Sequence, residues 1–160
     1  MFYRKVPIDT AALGKQALDA LPNIEQVFVT PNSLMSSKRF EALLYLTRKE
    51  IEHSVDDDDF YICSFSDRVI SYKGLVMPTH IREFYKDLTN KKFKCSFALF
   101  HQRFSTNTLP RWRLAQPFRT LAHNGEINSV EANRYNVAVK SKSLKSDVFT
   151  EEEMARIMPI

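Results

Sequence analysis

The chain has 160 residues, 44% hydrophobic and 26% charged, the profile of one compact soluble domain rather than a disordered or multi-domain polypeptide. Its three glycines, Gly14, Gly74 and Gly125, are too few and too scattered for a glycine-rich phosphate loop, which excludes the nucleotide-binding folds built on one. The net charge of +4 is uneven. Residues 1–87 carry 11 basic and 13 acidic side chains, residues 88–125 carry 7 and none, and residues 126–160 carry 5 and 6, so an anionic partner or substrate group is expected at the carboxylate-free stretch.

In chain order, Asp9 predicts the cap of a short helix reaching Ala20, with Leu13, Ala17 and Leu21 on one face and Pro22 ending it. Ile24–Val29 reads as a strand and Thr30–Lys38 as a loop. Phe40, Leu43, Leu44, Thr47 and Ile51 then follow helical spacing on a helix that ends near His53. The run Asp56–Asp59 lacks the alternating spacing of a calcium loop and reads as a solvated turn. Phe60–Phe65 and Val69–Lys73, joined by Ser66-Asp67-Arg68, predict a β-hairpin. Pro78-Thr79 starts a helix with Ile81, Phe84, Tyr85 and Leu88 at core spacing.

Ser96–Phe100 is almost continuously apolar, as in a strand buried on both faces, and Phe118–Ala122 predicts another strand. Asn128 with Glu131, and Thr150 with Glu153, carry the spacing of capping boxes at two helix starts. Interleaved strands and helices give an α+β domain with a largely antiparallel sheet. Cys63 and Cys95 lie in apolar runs without close thiolate pairing and read as buried free thiols, so no metal site is expected. No stretch of 18 apolar residues and no signal-peptide block is present, so the expected setting is cytoplasmic with no membrane partner.

Chemistry concentrates in two segments that follow predicted strands, His101–Thr108 and Leu121–Asn128. In the first, Arg103 offers a planar fork for a carboxylate beside polar Ser, Thr and Asn side chains. In the second, the Asn124 side-chain amide beside the Gly125 backbone N–H has the chemistry of an oxyanion hole, although Asn-Gly is equally a hairpin-turn signal. His101 and His123 at strand ends read as hydrogen-bonded structural groups rather than catalytic bases.

The strings His101–Leu114, Ala115-Gln116-Pro117-Phe118-Arg119 and Leu121–Asn128 closely resemble the amidotransferase domain of the glutamate synthase large subunit. The resemblance continues upstream through Ile24–Val29, Asp59–Ser64 and Tyr72–Leu75, and so covers most of the chain. It implies a class II glutamine amidotransferase with the αββα sandwich of the N-terminal nucleophile hydrolases, hydrolysing glutamine to glutamate and ammonia. By resemblance, Arg103 binds the glutamine α-carboxylate, Asn124 and Gly125 form the oxyanion hole, and Thr106 and Asn107 line the glutamine pocket.

The family's nucleophile is a cysteine at the mature N-terminus whose own α-amino group serves as base. Cys63 and Cys95, in mid-chain, are not assigned that role. The family's amino-group anchor, an aspartate in a Ser-Asp-Ser segment, is expected beyond the region matching residues 157–160. Residues 1–160 are therefore expected to be part of a single amidotransferase domain, inactive alone and prone to marginal stability or self-association.

In a complete family enzyme the resemblance implies FMN, an iron–sulfur cluster, 2-oxoglutarate and NADPH or ferredoxin as reductant, none with a site in these residues. Partners are then glutamine and the remaining domains or subunits of glutamate synthase, in a bacterial cytoplasm or a plastid. Two other readings remain at this point. One is a non-catalytic interaction remnant of the same fold, and the other a nucleic-acid-binding module suggested by a pI of 9.1 and Arg111-Trp112-Arg113.

Overall fold

Phe2–Lys5 (β1) and Glu25–Phe28 (β2) pair antiparallel, Phe2 opposite Phe28 and Lys5 opposite Glu25. Cross-strand side chains reinforce the pairing: Tyr3 donates to Glu25 at 2.7 Å, and the Arg4 guanidinium Nε donates to Gln26 Oε1 at 2.8 Å. The same guanidinium forms an ion pair with Asp87, which also accepts from the Tyr72 hydroxyl at 2.9 Å. Burial pushes the Tyr72 hydroxyl pKa above its ordinary value.

The computed structural model describes residues 1–104, 109–125, 130–141 and 143–158. They divide into two units, one made of residues 1–32 and 70–124, the other of 33–69 and 125–160.

In the first unit, Asp9 caps a 3₁₀ turn over Thr10–Ala12, its carboxylate accepting from the Ala11 N–H at 3.1 Å. The helix expected to continue to Ala20 is broken at Leu13-Gly14 and resumes as α1, Lys15–Asp19, because glycine is a poor interior helix residue and serves here as N-cap. Leu13, Ala17 and Leu21 nevertheless face the core as their spacing predicts. Pro78–His80 forms a 3₁₀ turn leading into α3, Ile81–Phe84, and a further 3₁₀ turn follows at Lys86–Thr89. Phe84 is fully buried, with the rings of Tyr85 and Trp112 at centroid distances of 4.6 and 5.7 Å.

In the second unit, α2 runs over Ser37–Ser54, capped by the Ser36 hydroxyl accepting from the Arg39 N–H at 3.2 Å. Ala42, Leu44 and Leu46 are its buried residues, while Thr47, expected in the core, is exposed. α4 spans Val130–Ser141 and has no buried residue; its expected cap Asn128 lies outside the described residues. α5, Glu151–Ile157, opens on the predicted capping box of Thr150 and Glu153. Arg39 of α2 grips Glu153 through both terminal nitrogens, at 2.8 and 2.5 Å. That fork, with the Thr150 backbone N–H, holds the Glu153 carboxyl down at about 2.

Mixed helix and strand is thus observed, but three predicted strand regions are not strands. Residues 61–66 are uniformly half-buried, without the in-and-out alternation that a hairpin strand needs. The polar turn between them does form, held by Glu41 of α2, which accepts from the Ser66 hydroxyl at 2.6 Å and the Asp67 N–H at 3.0 Å. Residues 96–100 are irregular, with Phe97 80% and Phe100 82% exposed. A continuous apolar run signals burial only where strands lie to either side, and among the described residues β1 and β2 have only each other. Phe118–Ala122 is a tight turn, described below. Cys95, expected to be buried, is exposed with this same segment, and Cys63 is half-buried; neither forms a disulfide.

Candidate active site

Trp112 is the anchor from which the site is built. It is 5% exposed, and its indole N–H donates to the Ala17 carbonyl at 3.1 Å. The ring edge passes so close to Gly74 that a β-carbon there would sit 2.4 Å from Trp112 Cζ3, which explains why the position holds glycine. Beside it, Lys73 is only 7% exposed: its ammonium donates to the Arg113 carbonyl at 2.7 Å and lies 5.4 Å from the centre of the Phe118 ring. The Lys73 carbonyl in turn accepts from the Tyr85 hydroxyl at 2.7 Å. The core therefore meets this stretch at the Trp112 indole, the Arg113 carbonyl and the Phe118 ring rather than through a strand.

The chain then reverses. Gln116–Pro117 is a cis peptide, and Phe118 and Leu121 exchange backbone hydrogen bonds of 2.7 and 3.0 Å around a two-residue turn. Arg119 adopts a left-handed backbone with φ of 57° inside that turn, which is incompatible with the extended strand expected there. The turn closes at its base through Gln116, whose Oε1 accepts from the His123 N–H at 2.9 Å and whose Nε2 donates to the His123 carbonyl at 3.1 Å. These contacts hold His123 by its main chain, not by the imidazole, and not at the end of a strand as expected.

Asn124 and Gly125 follow immediately and are exposed. Asn124 is the last residue of its unit and Gly125 the first of the next stretch of chain. Arg103 is exposed at the end of the irregular run 101–104. Among the described residues it shares no hydrogen bond or ion pair with Asn124 or Gly125. Thr106 and Asn107 lie outside the described residues. Gln116, Lys73 and Gly74 escape a reading of the sequence for chemistry because their roles are to hold backbone; the signal for Gly74 was its status as one of only three glycines.

Among the described residues no group of three potential metal ligands exists, and no helix is long and apolar enough to cross a membrane. An iron–sulfur cluster does not fit this chain, since such clusters take about four thiolates and the sequence has two cysteines, in different units.

The family described as glutamine amidotransferases class-II matches residues 1–160, the whole chain. The glutamate synthase [NADPH] large chain of Azospirillum brasilense is 48% identical over 134 residues, covering 82% of this chain and 9% of that protein. Ferredoxin-dependent glutamate synthase 2 of Synechocystis is 42% identical over 158 residues, 99% of this chain and 10% of that protein. The chloroplastic/mitochondrial ferredoxin-dependent glutamate synthase 1 of Arabidopsis thaliana is 41% identical over 155 residues, 94% of this chain and 10% of that protein. The chain thus spans about a tenth of the length of these relatives. With a match along its entire length, it belongs to the class II glutamine amidotransferase family.

Proposed function

We propose that this chain is part of the glutaminase domain of a glutamate synthase, with the αββα sandwich fold of N-terminal nucleophile hydrolases. Glutamine and water give glutamate and ammonia, and the ammonia is transferred to 2-oxoglutarate elsewhere in the complete enzyme. The observation that carries this reading is the strapped loop of residues 112–123, which ends by exposing Asn124 and Gly125. An oxyanion hole needs donors whose positions do not reorganise during reaction, and a loop pinned to a buried core supplies that condition.

In this reading the glutamine α-carboxylate docks on Arg103, with Thr106 and Asn107 lining the pocket. As a nucleophile adds to the side-chain amide carbon, its oxygen becomes an oxyanion, which the Asn124 amide and the Gly125 N–H stabilise. Collapse expels ammonia, and water then releases glutamate from the acyl intermediate. Neither Cys63 nor Cys95 carries a free α-amino group, so neither is the nucleophile. FMN, the cluster and the reductant, whether NADPH or ferredoxin, act in other parts of the complete enzyme.

The test is ammonia release by the full-length protein that contains this chain, with L-glutamine and with glutamine whose α-carboxylate is amidated. Turnover of the first and little of the second supports the reading, as does full activity after Cys63→Ser and Cys95→Ser. No hydrolysis of either, or loss of hydrolysis on replacing an internal cysteine, overturns it. Residues 1–160 expressed alone should hydrolyse neither compound.

A further inference from the structure

The Gln116 side chain substitutes for a strand partner. Its planar amide contacts both the N–H and the carbonyl of one residue, His123, seven positions further on. Asparagine and glutamine carry an uncharged donor and acceptor side by side on one planar amide at every ordinary pH, and asparagine is a methylene shorter. The two contacts also fix the orientation of the amide, since a flipped group would set like against like. Upstream, Gln116 sits between Ala115, which is buried, and the Lys73-held Phe118 ring. Downstream, its partner is the residue directly before Asn124. Beyond the Phe118–Leu121 backbone pair, the Gln116 side chain thus ties the residue on which Asn124 stands back to the base of the loop.

We propose that Gln116 is a positioning residue for catalysis, holding the His123 backbone so that Asn124 and the peptide N–H after it meet the developing oxyanion. This rests on the reading of Asn124 and Gly125 as the oxyanion hole. Displacing such donors by about an ångström lowers a rate by up to about a hundredfold, and does so without weakening a carboxylate clamp located elsewhere. The expected signature is a loss in kcat with KM for glutamine little changed.

The experiment uses the full-length protein with Gln116→Ala, Gln116→Glu, Asn124→Ala and the Gln116→Ala/Asn124→Ala double variant. Gln116→Ala should lower kcat about ten- to a hundredfold. In Gln116→Glu, one carboxyl oxygen still accepts from the His123 N–H, but the other faces the His123 carbonyl and donates only when protonated. Its kcat relative to the unaltered protein should therefore rise as pH falls through the pKa of the introduced carboxyl, while the Gln116→Ala ratio stays flat. A side chain with a merely structural role would not produce that pH dependence. The double variant should be slower than Asn124→Ala by a smaller factor than Gln116→Ala costs in the unaltered protein, because one of the two donors that Gln116 positions is already gone.

Normal kcat in both Gln116 variants, with Asn124→Ala impaired, overturns the positioning role and leaves the oxyanion reading standing. A fully additive loss in the double variant overturns it as well. Normal kcat in Asn124→Ala overturns the oxyanion reading and this proposal with it.

Discussion

The edge of the Trp112 indole occupies the space that a β-carbon on Gly74 would need, 2.4 Å from Cζ3. The sole tryptophan of the chain is thereby set against Phe84 and the Ala17 carbonyl, at the foot of the loop that leads to Asn124. Gly74→Ala should force the ring or the backbone to move and destabilise the first unit by about 1–3 kcal/mol, the usual range for overpacking a core. Chemical denaturation followed by tryptophan fluorescence measures this directly, and an unchanged midpoint would show that the ring has room to shift.

Lys73 is a buried cation whose ammonium caps the Arg113 carbonyl. Lys73→Met keeps most of the stem but leaves that carbonyl without its donor, for a loss of about 1–3 kcal/mol. Because the same ammonium lies over the Phe118 ring, glutaminase kcat should fall together with stability. Denaturant midpoints and steady-state rates on one preparation check both.

Arg103→Lys should raise KM for glutamine more than it lowers kcat, since an ammonium retains charge but loses the bidentate fork. For a carboxylate held by charged hydrogen bonds the loss is about 1.5–3 kcal/mol, roughly tenfold or more in KM. A variant with normal KM would remove Arg103 from the carboxylate site.

The Glu153 carboxyl sits at about 2 rather than its ordinary 4.5, chiefly because Arg39 donates to it, with the Thr150 backbone N–H adding to the shift. A depressed carboxylate stabilises the folded state fully above its unfolded pKa. That contribution declines as pH falls from about 4.5 towards 2. Glu153→Gln should therefore be less stable than the unaltered chain at neutral pH and converge with it near pH 2. Urea midpoints of the two proteins across this range test the sign. Asp147, held down by the Lys38 ammonium, titrates in the same direction in both proteins and cancels from the comparison.

What was legible in the sequence was local. Apolar spacing predicted α2, the Thr150–Glu153 box predicted the start of α5, and Ile81, Phe84, Tyr85 and Leu88 were recognisable as core, because each rests on neighbours within four residues. The strands were not legible for the converse reason. Residues 96–100 and 118–122 have strand-like composition, but a strand exists only where another pairs with it. In the second case Gln116 and a left-handed Arg119 impose a turn instead. The candidate site was visible as residue types, Arg103 and Asn124-Gly125, and as family strings. Lys73, Gly74 and Gln116 lie within those strings, but their scaffolding contacts were not visible, since contacts spanning seven to forty residues leave no periodic trace.

The most direct test of the account is the rate of glutamine hydrolysis by Asn124→Ala in the full-length protein. Loss of one oxyanion donor predicts a fall in kcat of about a hundred- to a thousandfold with KM nearly unchanged. A kcat within about twofold of the unaltered protein would contradict the assignment of this Asn-Gly pair to the oxyanion hole, and would return it to the role of an ordinary turn.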